Sequence, residues 1–154
     1  MGTNYKGSKK ERQALNTYIK LIRSGESLSS KINMMLSEFD LTESQFGALD
    51  ALYHLGVLKQ KDIGQKILKS GGNITMVINN LEKRELVKRK RGVKDRRHFN
   101  IHLTKNGKEK IAGVLPEVVK VIKKHFEILD FKEQKELEQL CKITGLQTRS
   151  RRNS

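Results

Sequence analysis

SGGNITMVINNLEKRELVKRKRGVKDRRHFNIHLT, residues 70–104, is the stretch on which the fold turns. Within it Ile74, Val77, Ile78 and Leu81 recur at i, i+3, i+4 and i+7, a spacing that predicts a helix with one apolar face to bury. The opposite face carries Gly72, Met76, Asn79 and Lys83, flanked by Asn73, Thr75 and Asn80. Apart from the lysine this surface is short and neutral, and its amides both donate and accept hydrogen bonds, which suits the edges of base pairs. Leu86 to Arg91 and Arg97 to Thr104 then alternate as strands do, with Phe99, Ile101 and Leu103 expected inward and Asn100 and His102 outward, so that Gly92 to Arg96 forms a hairpin tip. From Lys83 to Arg97, nine Lys or Arg stand against Glu85 and Asp95, a local net charge of +7 that is nearly half of the chain's +15. Charge concentrated to that degree points to a partner rather than to solubility.

The whole chain agrees. Its 154 residues are the length of one domain with appendages, and 36% hydrophobic residues allow a modest core and a subunit interface. With 5% aromatics, no Trp and 32% charged residues the composition is that of a mainly α protein and argues against an all-β sandwich. The excess of 32 basic over 17 acidic residues calls for a polyanion, either nucleic acid or an anionic membrane surface. No apolar run approaches the roughly 18 residues of a spanning helix, and the N-terminal MGTNYKGSKK lacks the apolar segment of a signal peptide. A cytoplasmic protein without a membrane partner is expected. The one cysteine, Cys141, forms no internal disulfide, and its apolar neighbours lead us to expect it buried and inert.

Upstream of the central stretch, Leu15, Tyr18, Ile19, Ile22, Leu28, Ile32, Met35, Leu36 and Phe39 mark one long amphipathic helix from about Lys10 to Phe39, with room for a bend at Ser24-Gly25. Thr42 and Gln45 have capping-box spacing, and Leu41 and Phe46 are placed as its hydrophobic staple. The helix they start should stop at Gly56, with a very short strand at Val57-Leu58. Lys59 to Leu68 reads as a short helix, and Ser70-Gly71-Gly72 as the turn of a helix-turn-helix. Downstream, Thr104 is set to cap a helix whose stripe is Ile111, Val114, Leu115, Val118, Ile122, Phe126 and Leu129, with a kink expected at Pro116. Asp130 and Glu133 start a last helix lined by Leu137, Leu140, Ile143 and Leu146 before a basic tail. These stripes are wider than one small domain needs, so the terminal helices are expected to form a homodimer.

The run from Leu41 through Gly107, with LTESQFGALDAL, DIGQKIL, NITMVINNLEKRELVKR, KDRR and IHLTKNG, resembles the winged helix-turn-helix core of the MarR family of transcriptional regulators. The resemblance implies a dimer held by terminal helices, a recognition helix in the major groove and a wing reaching the minor groove. It places the family's Asp-x-Arg wing pattern on Asp95 and Arg97, the carboxylate holding the guanidinium by a forked pair. It also implies a small aromatic or anionic effector bound between the dimer helices and the DNA-binding lobe. Two positions depart from the family pattern: Glu85 where many members have Gly, which bears on where the recognition helix ends, and Met76 where many have Arg.

The fold expected is therefore mainly α (α+β), a winged helix-turn-helix with long N- and C-terminal dimerisation helices. Its parts are residues 1–39 (dimerisation), 40–104 (DNA-binding lobe) and 105–154 (dimerisation helices and tail). The expected function is a sequence-specific regulator, a repressor on a pseudo-palindromic operator in double-stranded DNA. Asn73, Thr75, Met76, Asn79 and Asn80 would sample base edges, with Asn suited to adenine and the Met or Thr methyl to thymine. Lys94, Asp95, Arg96 and Arg97 form the wing, and Lys59, Lys66, Lys69, Ser70, Lys83, Lys88 and Lys90 are phosphate contacts. An architectural protein that coats DNA through charge alone is the alternative. His98 and His102 lack the partners of a metal site, no nucleophile-base grouping or phosphate-binding glycine loop is present, and neither cofactor nor enzyme activity is expected.

Overall fold

The computed structural model describes residues 2–67 and 73–148. The turn expected at Ser70-Gly71-Gly72, with Leu68 and Lys69 before it, and the tail beyond Thr148 lie outside the described residues. Among the described residues six helices and three short strands follow one another: α1 (Lys9–Ser37), α2 (Glu43–Leu55), β1 (Leu58–Lys59), α3 (Gln60–Lys66), α4 (Ile74–Lys83), β2 (Val87–Arg91), β3 (Phe99–Leu103), α5 (Lys105–Phe126) and α6 (Phe131–Leu146). The strands form one antiparallel sheet in the order β1-β3-β2.

Local chemistry sets the boundaries. Ser8 and Glu11 close a capping box on α1, Thr42 and Gln45 on α2, and Asp130 and Glu133 on α6. Gly56, at φ 78°, ends α2 in a conformation that costs a residue without Cβ nothing. Three other helix ends among the described residues place a residue other than glycine at positive φ, the third being Gln147 (φ 53°) after α6. Asp40 (φ 53°) follows α1, where Leu41 N–H returns to the Leu36 carbonyl at 3.1 Å, and Glu85 (φ 56°) follows α4, where Leu86 N–H returns to the Leu81 carbonyl at 2.9 Å. The recognition-type helix therefore ends where a glycine would end it, with Glu85 carrying the strain. α1 runs unbroken through Ser24-Gly25, and α5 continues through Pro116.

One core joins the elements. Leu36 of α1, Ala48, Leu49 and Leu52 of α2, Ile63 of α3, Ile78 and Leu81 of α4, Leu86, Val87 and Ile101 of the hairpin, and Ile111, Val114 and Val118 of α5 are all buried in it. The apolar pattern read for α4 thus faces inward, Ile78 and Leu81 fully and Ile74 and Val77 partly. Thr104 locks α5 onto the end of α4. Its backbone N–H donates to the Leu86 carbonyl (3.1 Å), its hydroxyl donates to the Glu85 carbonyl (2.6 Å), and the same oxygen accepts from Gly107 N–H (3.0 Å). A Cβ on Gly107 would press into the Leu86 carbonyl and lie 2.8 Å from Leu103 Cδ1, so the glycine of the LT-x-x-G motif is required by close approach.

Two expectations are corrected. Phe99, expected inward, is 37% exposed near the hairpin tip, because the guanidinium groups of Arg89 and Arg91 sit 5.6 and 5.4 Å from its ring centroid instead of a core wall. Cys141, expected buried, is exposed, since α6 has no buried residue in a single chain. The outer parts of the terminal helices likewise leave Tyr18, Ile22, Met34, Val119, Ile128, Phe131, Leu140 and Leu146 exposed.

Candidate nucleic-acid interface

The polar side of α4 is open. Met76 is 69% exposed, and Asn73, Thr75, Asn79, Asn80 and Lys83 are exposed with it. Every hydrogen-bonding side chain in this group except the lysine is nonetheless held. Asn73 is the N-cap, its Oδ1 accepting from Thr75 N–H at 3.0 Å. Thr75 Oγ1 accepts from Gln60 Nε2 (3.2 Å), Asn80 Oδ1 from Gln45 Nε2 (3.0 Å), and Asn79 Oδ1 from Arg89 Nη2 (2.8 Å).

Arg89 is the hub of this arrangement. Besides Asn79, its Nε donates to Gln60 Oε1 at 3.2 Å, its Nη1 lies 3.4 Å from Glu82 Oε1, and its backbone N–H donates to Glu82 Oε2 at 2.9 Å. Its strand register explains the geometry. Arg89 pairs with Ile101 and sits between Val87 and Arg91 on the side of the hairpin facing α3 and α4. A cation on that side is half-buried and has to find acceptors, and Glu82, Gln60 and Asn79 supply them. Sequence reading assigned Lys88 and Lys90, on the outer side, to DNA and passed over Arg89, Gln60 and Gln45. Arg89 was visible as a charge at an inward position of an alternating strand; its partners come from three other elements and had no local signal. Arg84, also passed over, donates through Nη1 to the Asp40 carbonyl at 2.7 Å and ties the end of α4 to the end of α1.

The loop from Gly92 to His98 projects beyond the sheet. Gly92 N–H donates to the His98 carbonyl at 3.0 Å and closes it. Asp95 organises the tip, but not by the forked pair expected. Its Oδ1 accepts from Arg97 backbone N–H (3.0 Å) and lies 3.5 Å from Arg97 Nε, while Oδ2 faces His98 Nε2 at 3.3 Å. Having a second partner, the carboxylate fixes the backbone more than the guanidinium, and the Arg97 side chain is 91% exposed. Lys94 and Arg96 are exposed beside it. Lys59 lines a hollow of about 390 Å³ with Lys94, Asp95 and His98, which brings one phosphate candidate to the tip. Lys66, Lys83, Lys88 and Lys90 are exposed as well, whereas Lys69 and Ser70 lie outside the described residues. Among the described residues no cluster of three His, Cys, Asp or Glu side chains could hold a metal ion, and no helix is long and apolar enough to cross a membrane.

An amide-lined helix face beside a projecting cationic loop is suited to two adjacent grooves of a duplex. Comparisons with known proteins agree. The family model described as transcriptional regulator SarA/Rot matches residues 30–114. The chain is 29% identical over 141 residues to the HTH-type transcriptional regulator MhqR of Bacillus subtilis (strain 168), covering 92% of this chain and 97% of MhqR. Sco3205 of Streptomyces coelicolor, a MarR family transcriptional regulator solved in complex with DNA, has the same fold at a TM-score of 0.82 and 18% identity, over 96% of this chain and 94% of that one. BpsR of Bordetella bronchiseptica, whose DNA binding is regulated by 6-hydroxynicotinic acid, matches at a TM-score of 0.76 and 21% identity, over 84% of this chain and 98% of that one.

Proposed function

Because the chain belongs to the MarR family of DNA-binding winged helix-turn-helix transcriptional regulators, we propose that it is a cytoplasmic homodimer that binds a specific inverted repeat in double-stranded DNA and represses the promoter it covers. In this reading α4 enters the major groove with Asn73, Thr75, Met76, Asn79 and Asn80, and Lys94, Arg96 and Arg97 reach the neighbouring minor groove, whose negative potential favours Arg. Lys59, Lys66, Lys69, Ser70, Lys83, Lys88 and Lys90 hold the phosphates and set the register. The observation that carries it is that the amide face of α4 and the Arg97 side chain of the loop after β2 are both exposed, on elements that Arg89 of β2 ties together through Asn79 and Glu82.

The dimer is supported by the large apolar residues that α1, α5, α6 and the turn between the last two leave exposed, among them Tyr18, Ile22, Met34, Val119, Ile128, Phe131, Leu140 and Leu146. Residues 1–39 and 105–154 then act mainly in dimerisation and 40–104 in DNA binding, and two-fold symmetry sets the two α4 helices about 34–36 Å apart, one helical turn of DNA.

An effector site is supported by a cleft of about 340 Å³ between α1, α2, α3 and α5, lined by Leu28, Ile32, Phe46, Ile67 and Val118. Lys66, Ser29 and Glu43 also line it, and the Ser29 hydroxyl donates to the Glu43 carboxylate at 2.8 Å. Among the described residues the apolar lining is joined by the Lys66 cation and the Glu43 carboxylate, and a small aromatic carboxylate that pairs with the lysine would act by favouring one spacing of the two DNA-binding lobes over another.

Selection of duplexes from a random pool at moderate salt tests this function. An inverted repeat with half-sites about one turn apart is the expected product, and a featureless pool would identify a charge-driven coating protein instead. Addition of 6-hydroxynicotinate or benzoate to the selected complex tests the effector. Release of DNA is expected, and binding unchanged by a panel of aromatic carboxylates would remove that part of the proposal.

A further inference from the structure

We propose that the reading face of α4 is polarised into a set of hydrogen-bond donors, so that Asn79 and Asn80 select base edges presenting acceptors, guanine N7 and O6 or thymine O4, and do not make the paired donor-acceptor contact that marks adenine. This rests on the sequence-specific reading above and specifies its chemistry. It replaces the adenine pairing expected from the bare sequence.

The polarity of each amide is fixed by groups that have no choice of role. A guanidinium only donates, so the atom of Asn79 that meets Arg89 Nη2 at 2.8 Å is its carbonyl oxygen, and its Nδ2 is turned away from Arg89. Arg89 is itself pinned by Glu82 and Gln60 and is not free to release it. For Asn80 the fixed group is a backbone N–H one element away. Thr42 N–H donates to Gln45 Oε1 at 3.1 Å in the capping box of α2, which leaves Gln45 with only its Nε2 to offer. That Nε2 donates to Asn80 Oδ1 at 3.0 Å, so Asn80 also presents its NH2 group. The pattern extends to the start of the helix. Asn73 Oδ1 is occupied by Thr75 N–H, and Thr75 Oγ1 accepts from Gln60 Nε2, whose Oε1 is in turn held by Arg89 Nε.

A bidentate amide-adenine pair needs one acceptor facing N6 and one donor facing N7. Each carbonyl oxygen keeps a second lone pair, but both are turned toward protein donors, so the NH2 ends face outward; opposite adenine N6 such an end meets a second donor, an unpaired contact that costs affinity, whereas guanine O6 and N7 both accept from it. Gln45 is therefore a positioning residue for specificity. It reads nothing itself and sets which end of Asn80 faces the duplex.

The test uses the full-length protein and random-pool selection. Asn79→Ala and Asn80→Ala, selected in parallel with the wild type, identify the base position each amide reads as the one whose preference relaxes. Wild-type protein should carry guanine or thymine at both positions and lose about tenfold or more in relative affinity when adenine replaces either. The informative variant is Gln45→Glu. A glutamate still accepts Thr42 N–H, so the capping box and the fold are kept, and a thermal melt close to wild type verifies this. It accepts from Asn80 Nδ2 and turns Oδ1 outward, so preference at the Asn80 position should shift to adenine or cytosine while the Asn79 position stays as it was. The added negative charge weakens all duplexes alike, which is why the ratio between bases is the readout. Arg89→Met is the independent second case and should admit adenine at the Asn79 position alone. Adenine at the Asn79 and Asn80 positions of the wild type, or a folded Gln45→Glu protein with unchanged preference, overturns the inference while leaving sequence-specific binding intact. A featureless wild-type pool overturns both.

Discussion

At the scale of single residues, the chemistry of the interface divides between side chains that are free and side chains that are held. Arg97 is free: 91% of its side chain is exposed, and its contact with Asp95 is one long one. Arg97→Ala should leave the melting temperature unchanged, weaken DNA binding by about tenfold and reduce the slope of log K against log salt by about one. Titrations at three salt concentrations check both figures, and an unchanged slope would place Arg97 off the DNA. Gly107 shows the opposite case, a residue whose role is entirely steric. Gly107→Ala forces a methyl group against the Leu86 carbonyl and should destabilise the fold by more than about 2 kcal/mol, read as a lower midpoint in urea. Gly107 was legible as part of the LT-x-x-G motif, but the reason for it was not. It lies in the approach of α5 to a carbonyl more than twenty residues upstream, which no local pattern encodes. The same holds for Arg89, whose acceptors come from α3 and α4.

At the scale of elements, start and stop signals written in the sequence placed the helices well. Thr42 and Gln45, Thr104, and Asp130 and Glu133 cap the helices they were expected to cap, because a cap depends on residues three apart. The end of α4 was harder to read. Glu85 does not shift the helix terminus; it occupies the left-handed position itself at φ 56° and bears the cost. Glu85→Gly should therefore raise stability by about 0.5–1 kcal/mol, or about 2–4 °C in a thermal melt at fixed protein concentration. A lower melting temperature would mean that the Glu85 side chain contributes more than its backbone costs. The hairpin illustrates the limit of alternation as a guide. Ile101 is fully buried as expected, but Phe99, two residues closer to the tip, has run past the core and is covered by arginines instead.

At the scale of the whole molecule, a small shared core holds α2, α3, α4, the hairpin, the last turns of α1 and the first half of α5 together, while the rest of the terminal helices remains uncovered in one chain. That distribution of apolar surface is what the wide stripes in the sequence foretold, and it makes association of two chains the expected state in solution. Light scattering at micromolar concentration should give twice the 17.7 kDa chain mass, and replacing Phe131 and Leu140 together by Glu should give a monomer that binds DNA far more weakly. A monomeric wild type would contradict the symmetric arrangement. Two copies of the +15 chain attract any duplex, so affinity alone says little about function. The central claim is that α4 reads sequence whereas the surrounding cations supply affinity. It is tested most directly by the ratio of dissociation constants for the selected site and a scrambled duplex, measured at one salt concentration for wild type and Asn79→Ala. The account predicts that the ratio collapses by about 1–3 kcal/mol while binding to the scrambled duplex is unchanged; an equal loss on both duplexes would contradict it.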